Sequence, residues 1–280
     1  EGEEDEEGDE VHILVLHHGL GGSSHDLRII KNYVQVVFPR TRVMVASLSH
    51  LRKEDGLRDM GERLAEEVRG FVLDKAPLMG HPTRPRGRLS FVGYSMGSLV
   101  IRAALASRAL SLFLPRLHAF LSLSSPHLGC PYSASGLIKT GMWALRTFMK
   151  VRVLEELELK DAEHPTETTL YKLSQTPGLG LFRHVALVSA HRDKYVPAYS
   201  ARVQVCREAG ADFVHGPAVI DMAANLMSGV APGAVAHLDL DHVFEGLSVN
   251  TVIGRAAHLS YLNSPQVINL LLFTFYDMLK

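Results

Sequence analysis

The sequence predicts an α/β protein with a mostly parallel, doubly wound sheet. Short apolar runs, of the kind that form strands buried on both faces, alternate with segments whose apolar residues recur every three or four positions. Strands that alternate with helices form βαβ units, in which the strands are parallel and the helices cover both faces. A chain of 280 residues can bury such a core without disulfides or metal ions.

Strands are expected at short apolar runs bounded by polar or turn-forming residues. In chain order, five such runs lie at His12–Gly19, Arg42–Ser49, Arg88–Val92, His118–Pro126 and His184–Ala190. A sixth strand is expected within residues 236–244, AHLDLDHVF. Each of the first three predicted strands is followed by a segment with helical spacing.

Helices are expected where apolar residues form a stripe at helical spacing. The stripes of the first two, in SHDLRIIKNYVQVVF and DMGERLAEEVRGFVLDK, consist of Leu27, Ile30, Val34 and Val37, and of Met60, Leu64, Val68 and Phe71. The third strand leads directly into a third helix, MGSLVIRAALAS. The last helix, in SPQVINLLLFTFYDML, has Ser264 as its expected cap and Pro265 in its first turn.

One stretch breaks the alternation between the fourth and fifth strands. The residues from Cys130 to Arg183 contain the helical pattern GLIKTGMWALRTFMK and no strand-like run. An insertion at this point would cap the sheet edge where sites lie in such folds. We therefore expect an acidic tail over residues 1–10, and a single domain over residues 11–280 with a helical cap or lid at about residues 130–183.

Charge and composition bear on the binding partners and the location that we expect for the protein. The tail EGEEDEEGDE holds eight of the 30 acidic residues, which leaves 22 against 29 basic residues in the remainder. A like-charge block of this kind is usually disordered, and the formal net charge of −1 gives no reason to expect nucleic acid. Two distant cysteines, and no signal peptide at the start, favour a cytoplasmic protein. The longest apolar segment is too short to span a bilayer, which needs about 20 residues.

The junction between the third strand and its helix carries the first chemical signal. Gly93-Tyr94-Ser95-Met96-Gly97 fits the pattern G-x-S-x-G, with a strand before it and a helix after it. In that context the serine lies on a strained turn, and the flanking glycines let the strand and the helix approach closely. The alternative is an ordinary tight turn. The context favours Ser95 as a nucleophile.

A serine nucleophile needs a base and an acid. Asp193 follows the fifth strand, where the acid of a Ser-Asp-His order would lie, although it could instead cap a local turn. His215, His237, His242 and His258 all come later in the chain. His258 lies just before the last helix, so we expect it to be the base.

The developing negative charge of such a reaction needs backbone donors. Met96 follows the nucleophile, and Leu20 lies in the glycine-rich loop HHGLGGSSHD after the first strand, so these two amides are the expected oxyanion hole. The loop lacks the spacing of a nucleotide-binding motif. His17 and His18 point to opposite faces of a strand and cannot easily share a metal ion. The sequence predicts neither a metal nor another cofactor.

The chain resembles the α/β-hydrolases of the lipase type, and more narrowly a group of serine esterases that includes the C-terminal lipase-like domain of the proteins called "family with sequence similarity 135". The resemblance rests on HGLGGSSHDLR, VGYSMGSLVIR, FLSLSSPHLG, LYKLS, DKYVPAYSAR and IGRAAH. It implies Ser95, Asp193 and His258 as the catalytic residues. Relatives often have His and Leu where this chain has Tyr94 and Met96.

The expected function is hydrolysis of carboxylic esters, with lipids as the expected substrates. Tyr94 and Trp143 are the candidate substrate-binding residues, and the insertion around Trp143 carries apolar and basic residues that would suit peripheral contact with a membrane. Two alternatives stay open: a catalytically silent interaction module of the same fold, and an acyltransferase that uses the same triad. The sequence gives no oligomeric state.

Overall fold

The computed structural model describes residues 11–47, 54–81, 86–132, 152–190, 193, 195–241, 262 and 264–280. The strands β1 to β6 span, in order, His12–His17, Arg42–Val45, Arg88–Tyr94, Leu117–Leu123, His184–Ala190 and Val235–Leu240. The helices α1 to α10 span Arg28–Val37, Leu57–Lys75, Met96–Leu105, Arg152–Leu157, Thr169–Ser174, Ala198–Ala201, Arg207–Ala211, Gly216–Ser228, Pro265–Thr274 and Tyr276–Leu279. Single 3₁₀ turns lie at Ser24–Leu27, Pro77–Gly80, Arg108–Leu110, Leu114–Arg116, Pro165–Glu167 and Leu179–Leu181.

The six strands form one sheet in the order β2-β1-β3-β4-β5-β6. All neighbouring strands in this order are parallel. The predicted fold class, a mostly parallel sheet of α/β type with helices, is therefore confirmed. Because the strands are parallel, the loops that follow β1, β3, β4 and β5 meet at one edge of the sheet, which we call the carboxyl end. The opposite edge is the amino end.

The core lies on both faces of the sheet, because successive side chains of a strand point to opposite faces. In β1, Ile13 and Val15 belong to one buried apolar cluster, and Leu14 and Leu16 belong to the other. Helices α2 and α3 cover the first face, whereas α1 and α9 cover the second. The strands are therefore apolar on both faces, which is why they appear in the sequence as continuous apolar runs.

The structure differs from the sequence prediction between β5 and β6. Helices α6, α7 and α8 occupy this connection, and none of the three was predicted. Helix α8 buries the stripe Val219, Met222 and Leu226 on the core. The described part of the insertion contains two short helices, α4 and α5, and no strand, whereas the predicted helix GLIKTGMWALRTFMK lies outside the described residues. Of the helices in the described ranges, none is long and apolar enough to cross a membrane.

Candidate active site

Ser95 occupies the turn between β3 and α3 in a backbone conformation that few serines adopt. Its φ of 53° and ψ of −129° place it in the region that favours glycine. A non-glycine residue held in such a conformation costs about 1–3 kcal/mol and persists only where the surrounding structure imposes it. This is the backbone geometry of a nucleophile elbow. Ser95 is 8% exposed.

The two glycines of the motif make close contacts that a larger residue would prevent. A Cβ added to Gly93 would lie 2.4 Å from Oγ of Ser98 in the first turn of α3. A Cβ added to Gly97 would lie 2.5 Å from the carbonyl oxygen of His17 and 2.6 Å from that of His18. Gly93 thus lets the strand meet the helix, and Gly97 lets the helix meet the loop after β1.

The loop after β1 lies directly against Ser95. Strands β1 and β3 are neighbours, with His17 opposite Gly93 at their carboxyl ends. A Cβ added to Gly19 would lie 2.8 Å from Cβ of Ser95. The structure therefore brings together the two loops from which the sequence predicts the oxyanion donors Leu20 and Met96.

The orientation of the Leu20 amide is set by its own peptide unit. The carbonyl oxygen of Gly19 accepts hydrogen bonds from Nδ1 of His18 at 2.8 Å and from the amide of Gly22 at 3.1 Å. In a trans peptide the N–H points away from the C=O. The Leu20 amide therefore points away from the His18 ring. Met96 is the first residue of α3, where a helix leaves its amides without partners in the helix.

His17 and His18 thus have structural roles in this loop. Nδ1 of His17 lies 2.8 Å from the carbonyl oxygen of His18. Burial lowers the pKa of His17 to about 4, so its imidazole is neutral and can donate from Nδ1 to that carbonyl. Sequence reasoning considered the pair only as metal ligands. The signal for their actual role is their position immediately before Gly19, where the chain leaves the strand.

Asp193 lies three residues beyond the end of β5, at the carboxyl end of the sheet. Its Oδ1 accepts hydrogen bonds from the amides of Tyr195 at 2.8 Å and Val196 at 3.1 Å. This turn fixes the orientation of the carboxylate. Since a carboxylate has two oxygens, capping the turn and orienting a histidine are compatible roles. The structure thus shows the capping interaction and leaves the catalytic role a prediction.

Of the other predicted site residues, two lie outside the described part of the chain and one is buried in the core. His258 and Trp143 lie outside the described residues. Tyr94 is 2% exposed and packs in the core cluster on the α1–α9 face.

Beyond β4, the buried thiol of Cys130 lies 3.6 Å from the carbonyl oxygen of Tyr195. Burial, with Asp193 nearby, raises the pKa of this thiol to about 12, so it is not a thiolate nucleophile at neutral pH.

Sequence reasoning missed a buried polar cluster behind the elbow. Its members come from α3, β4 and the loop after β4: Ser98, Arg102, Ser122, Ser125 and His127. The available signal was a polar residue, Ser122, in a strand predicted to be buried on both faces.

Within the described ranges, no group of three or more His, Cys, Asp or Glu side chains is placed to hold a metal ion.

Residues 7–208 match the model of the family described as "Putative serine esterase (DUF676)". "Lysosomal thioesterase PPT2" of Bos taurus is 31% identical over 137 residues, which cover 49% of this chain and 39% of that protein. "Putative lipase ROG1" of Saccharomyces cerevisiae is 27% identical over 205 residues, which cover 68% of this chain and 28% of that protein. The chain spans less than half the length of either relative.

Among solved structures, the crystal structure of a gene product from Listeria innocua matches 95% of this chain and 93% of that chain. The TM-score is 0.51 at 14% sequence identity. At this identity the likeness concerns the fold alone.

Proposed function

The chain belongs to this serine esterase family and has the α/β-hydrolase fold, and from these premises we propose that it hydrolyses carboxylic ester bonds of lipids. In the proposed triad, Ser95 is the nucleophile, Asp193 the acid and His258 the base. The observation that carries the proposal is the left-handed backbone of Ser95, held against the loop after β1. Ordinary turns at strand ends do not need a strained serine.

The reaction begins with attack by Oγ of Ser95 on the ester carbonyl while His258 takes the serine proton. The oxyanion of the tetrahedral intermediate accepts hydrogen bonds from the amides of Leu20 and Met96. Loss of one such donor typically costs roughly 3–4 kcal/mol of transition-state stabilisation. The intermediate collapses as His258 returns the proton to the leaving alkoxide, which departs as the alcohol.

Water then completes the reaction. His258 removes a proton from water, which attacks the acyl carbonyl, and collapse of the second intermediate releases the carboxylic acid and restores the Ser95 hydroxyl. Asp193 holds the imidazole and stabilises its charged form. No step requires a metal ion or an organic cofactor.

An exposed apolar turn supports a lipid substrate. Phe213 is 96% exposed and Val214 is 66% exposed. Oδ1 of Asp212 accepts hydrogen bonds from the amides of Val214 and His215, and its Oδ2 accepts one from the hydroxyl of Tyr132. The turn is therefore fixed beside the start of the insertion. We propose that these two neighbouring side chains contact the lipid surface, and the Phe213→Ser variant below tests this.

Thioester hydrolysis is a second candidate, favoured by the sequence similarity to a lysosomal thioesterase. The same triad and oxyanion hole serve both reactions, since both pass through an acyl-enzyme. The two candidates differ only in the leaving group, which is an alcohol for an ester and a thiol for a thioester.

The first test is covalent labelling with a fluorophosphonate probe. We expect the chain to label stoichiometrically, and we expect Ser95→Ala to remove the label while circular dichroism shows a folded protein. A folded chain that does not label would contradict the hydrolase proposal and favour the silent interaction module. Label that survives in Ser95→Ala would assign the nucleophile elsewhere.

A second measurement identifies the substrate class. Oxyesters and thioesters of increasing acyl length are compared by kcat/KM, in solution and in anionic liposomes. Preference for long acyl chains supports the lipid proposal, whereas preference for short ones contradicts it. Acyl products on an added alcohol, rather than free acid, would indicate the acyltransferase. Loss of liposome binding in Phe213→Ser, or in Trp143→Ala with Lys150→Glu, would support peripheral contact with a membrane.

A further inference from the structure

The buried polar cluster behind the elbow forms a continuous path. It begins at Arg102, in the last turn of α3, and none of its five side chains is more than 1% exposed. The reaction proposed for Ser95 uses none of these groups. Buried polar side chains at such density are costly unless each is well paired, so their arrangement calls for an explanation.

The first part of the path joins Arg102 to β4. Nη1 of Arg102 lies 3.4 Å from Nδ1 of His127, and Nε2 of His127 lies 2.8 Å from Oγ of Ser122. A guanidinium can only donate hydrogen bonds. Nδ1 of His127 therefore accepts, and its ring hydrogen lies on Nε2, from which it is donated to Ser122.

The second part of the path ends at the nucleophile. Oγ of Ser122 donates to Oγ of Ser98 at 3.0 Å. The hydroxyl of Ser125 donates to Oγ of Ser98 at 2.6 Å, and Oγ of Ser125 also lies 3.3 Å from the carbonyl oxygen of Leu123. That carbonyl also accepts the amide of Ser95 at 2.8 Å. The donors therefore run from the guanidinium through His127 and Ser122 to Ser98, which also accepts from Ser125. Ser125 in turn lies beside the carbonyl that accepts the amide of Ser95.

Ser98 also connects the path to the elbow by packing. It contacts Gly93 so closely that a Cβ on the glycine would lie 2.4 Å from the serine oxygen. The amide of Ser98 donates to the carbonyl oxygen of Ser95 at 3.3 Å. A shift of the Ser98 side chain would therefore move both the strand and the helix that define the turn.

The charge at the start of the path is unusual. The partners of Arg102 among the described residues are His127 and the carbonyl oxygens of His127 and Leu173, and none is a carboxylate. Burial lowers the pKa of Arg102 to about 9, so it remains charged at neutral pH. Burial beside this charge keeps the pKa of His127 well below its usual value, so its ring is neutral. Apolar residues of similar volume would often stabilise a core as well or better.

We propose that Arg102 and His127 are positioning residues, which act through Ser122 and Ser98 to hold Ser95 in its strained conformation. The inference rests on the proposed function, because it takes Ser95 as the nucleophile. Arg102 fixes the tautomer of His127, and the directed hydrogen bonds fix the first turn of α3. The group that reacts is thereby set before substrate arrives.

The test compares variants that break the path with one that preserves it. His127→Leu removes both ring hydrogen bonds, and Ser122→Ala removes a single oxygen. In His127→Gln the amide oxygen can still accept from Arg102 and the amide nitrogen can still donate to Ser122. We expect the first two variants to slow fluorophosphonate labelling by roughly ten- to hundredfold, since small misplacements of a reacting group have effects of that size. His127→Gln should restore most of the rate.

A matched pair of controls lies at the amino end of the sheet. His12 and Ser90 are buried and their side chains are joined by a hydrogen bond of 2.8 Å, as in the His127–Ser122 pair. We expect His12→Leu and Ser90→Ala to lower the thermal unfolding midpoint without slowing labelling.

The outcomes separate the two proposals. A wild-type chain that does not label refutes the proposed function. A wild-type chain that labels, with His127→Leu and Ser122→Ala labelling as fast, refutes the positioning role alone. Controls that slow labelling as much as the path variants would also refute it, because the effect would then follow stability. If His127→Leu does not fold, Ser122→Ala and His127→Gln decide the question.

Discussion

The two ends of the sheet hold buried histidine–serine pairs of the same geometry in different surroundings. At the carboxyl end, His127 lies 2.8 Å from Ser122, and at the amino end His12 lies 2.8 Å from Ser90. Burial lowers the pKa of both imidazoles. The pair alone therefore does not mark a functional site, and the difference must lie in what surrounds it.

The surroundings differ in where backbone strain falls. At the carboxyl end, Gly21 and Gly129 have positive φ angles, and so do two serines that directly follow strands, Ser95 after β3 and Ser124 after β4. At the amino end, the positive φ that precedes β3 is carried by Gly87, which adopts it without strain. The glycine at the amino end thus adopts its positive φ without strain, whereas the two serines at the carboxyl end keep theirs with strain. Retained strain is typical of functional sites, and sites of parallel sheets lie at the carboxyl ends of the strands.

The largest expected effect tests whether the carboxyl end carries the chemistry. Asp193→Asn keeps an oxygen that can cap the turn and removes the charge that would hold a histidine. We expect kcat/KM for the best ester to fall by roughly 10³- to 10⁴-fold, as in other triads. The matched control is Asp212→Asn, because Oδ1 of Asp212 also accepts the second and third following amides, at 2.8 and 3.1 Å.

The control should retain labelling by the small soluble probe. Equal losses in both variants would mean that Asp193 only caps its turn. The base would then have another orienting partner.

The second largest expected effect comes from replacing one glycine at each end of the sheet with alanine. Gly97→Ala would place a Cβ 2.5 Å from the carbonyl oxygen of His17, and Gly87→Ala would place one 2.8 Å from that of Val11. Both should lower the unfolding midpoint. Only Gly97→Ala displaces the loop that carries Leu20, so only it should slow labelling, by roughly a hundredfold.

The measurements are labelling rate and thermal unfolding for both variants. Slow labelling in a folded Gly87→Ala would show that the amino end also controls the elbow, and the distinction between the two ends would fail.

The sequence predicts the sheet well because its strands are buried on both faces. Each of the six strands was predicted, and the sixth, expected within residues 236–244, lies at Val235–Leu240. Helices α6, α7 and α8 were not predicted, although Val219, Met222 and Leu226 form a helical stripe in α8. Periodicity was sufficient to find the helix.

The site was predictable only where the chemistry is local. The elbow is five consecutive residues, so its sequence specifies its backbone. The path behind it joins Ser98 to Ser122 and Arg102 to Leu173, residues 24 and 71 positions apart. Such pairs depend on how β4 and the insertion pack on α3. A single sequence carries no direct signal of that packing.

The smallest expected effect concerns the amino end, where the rings of His12, His118 and His184 meet edge to edge beside Arg88. Burial lowers the pKa of His12 to about 3 and of His118 to about 4, against 6.5 when unfolded. Arg88 and Arg183 lower the pKa of His118 further, while the carbonyl of Met278 opposes them. Folding thus favours the neutral rings.

The sign of the pH dependence follows from these lowered values. The contribution of each histidine to stability is complete above pH 6.5 and is lost as pH falls toward the folded pKa. His118→Phe keeps the edge-on ring contacts and cannot take up a proton. We expect it to reduce the loss of unfolding free energy between about pH 6.5 and 4, by at most about 1.4 kcal/mol per pH unit.

Denaturant unfolding at several pH values measures this slope. His164→Gln is the control, because that residue is exposed in the folded protein. The labelling rate of His118→Phe at neutral pH should equal that of the wild type, since its ring lies at the far end of β4 from Ser95. If His118→Phe leaves the slope of unfolding free energy against pH unchanged, protonation of other groups causes the acid destabilisation. If His118→Phe slows labelling, the two ends of the sheet are coupled.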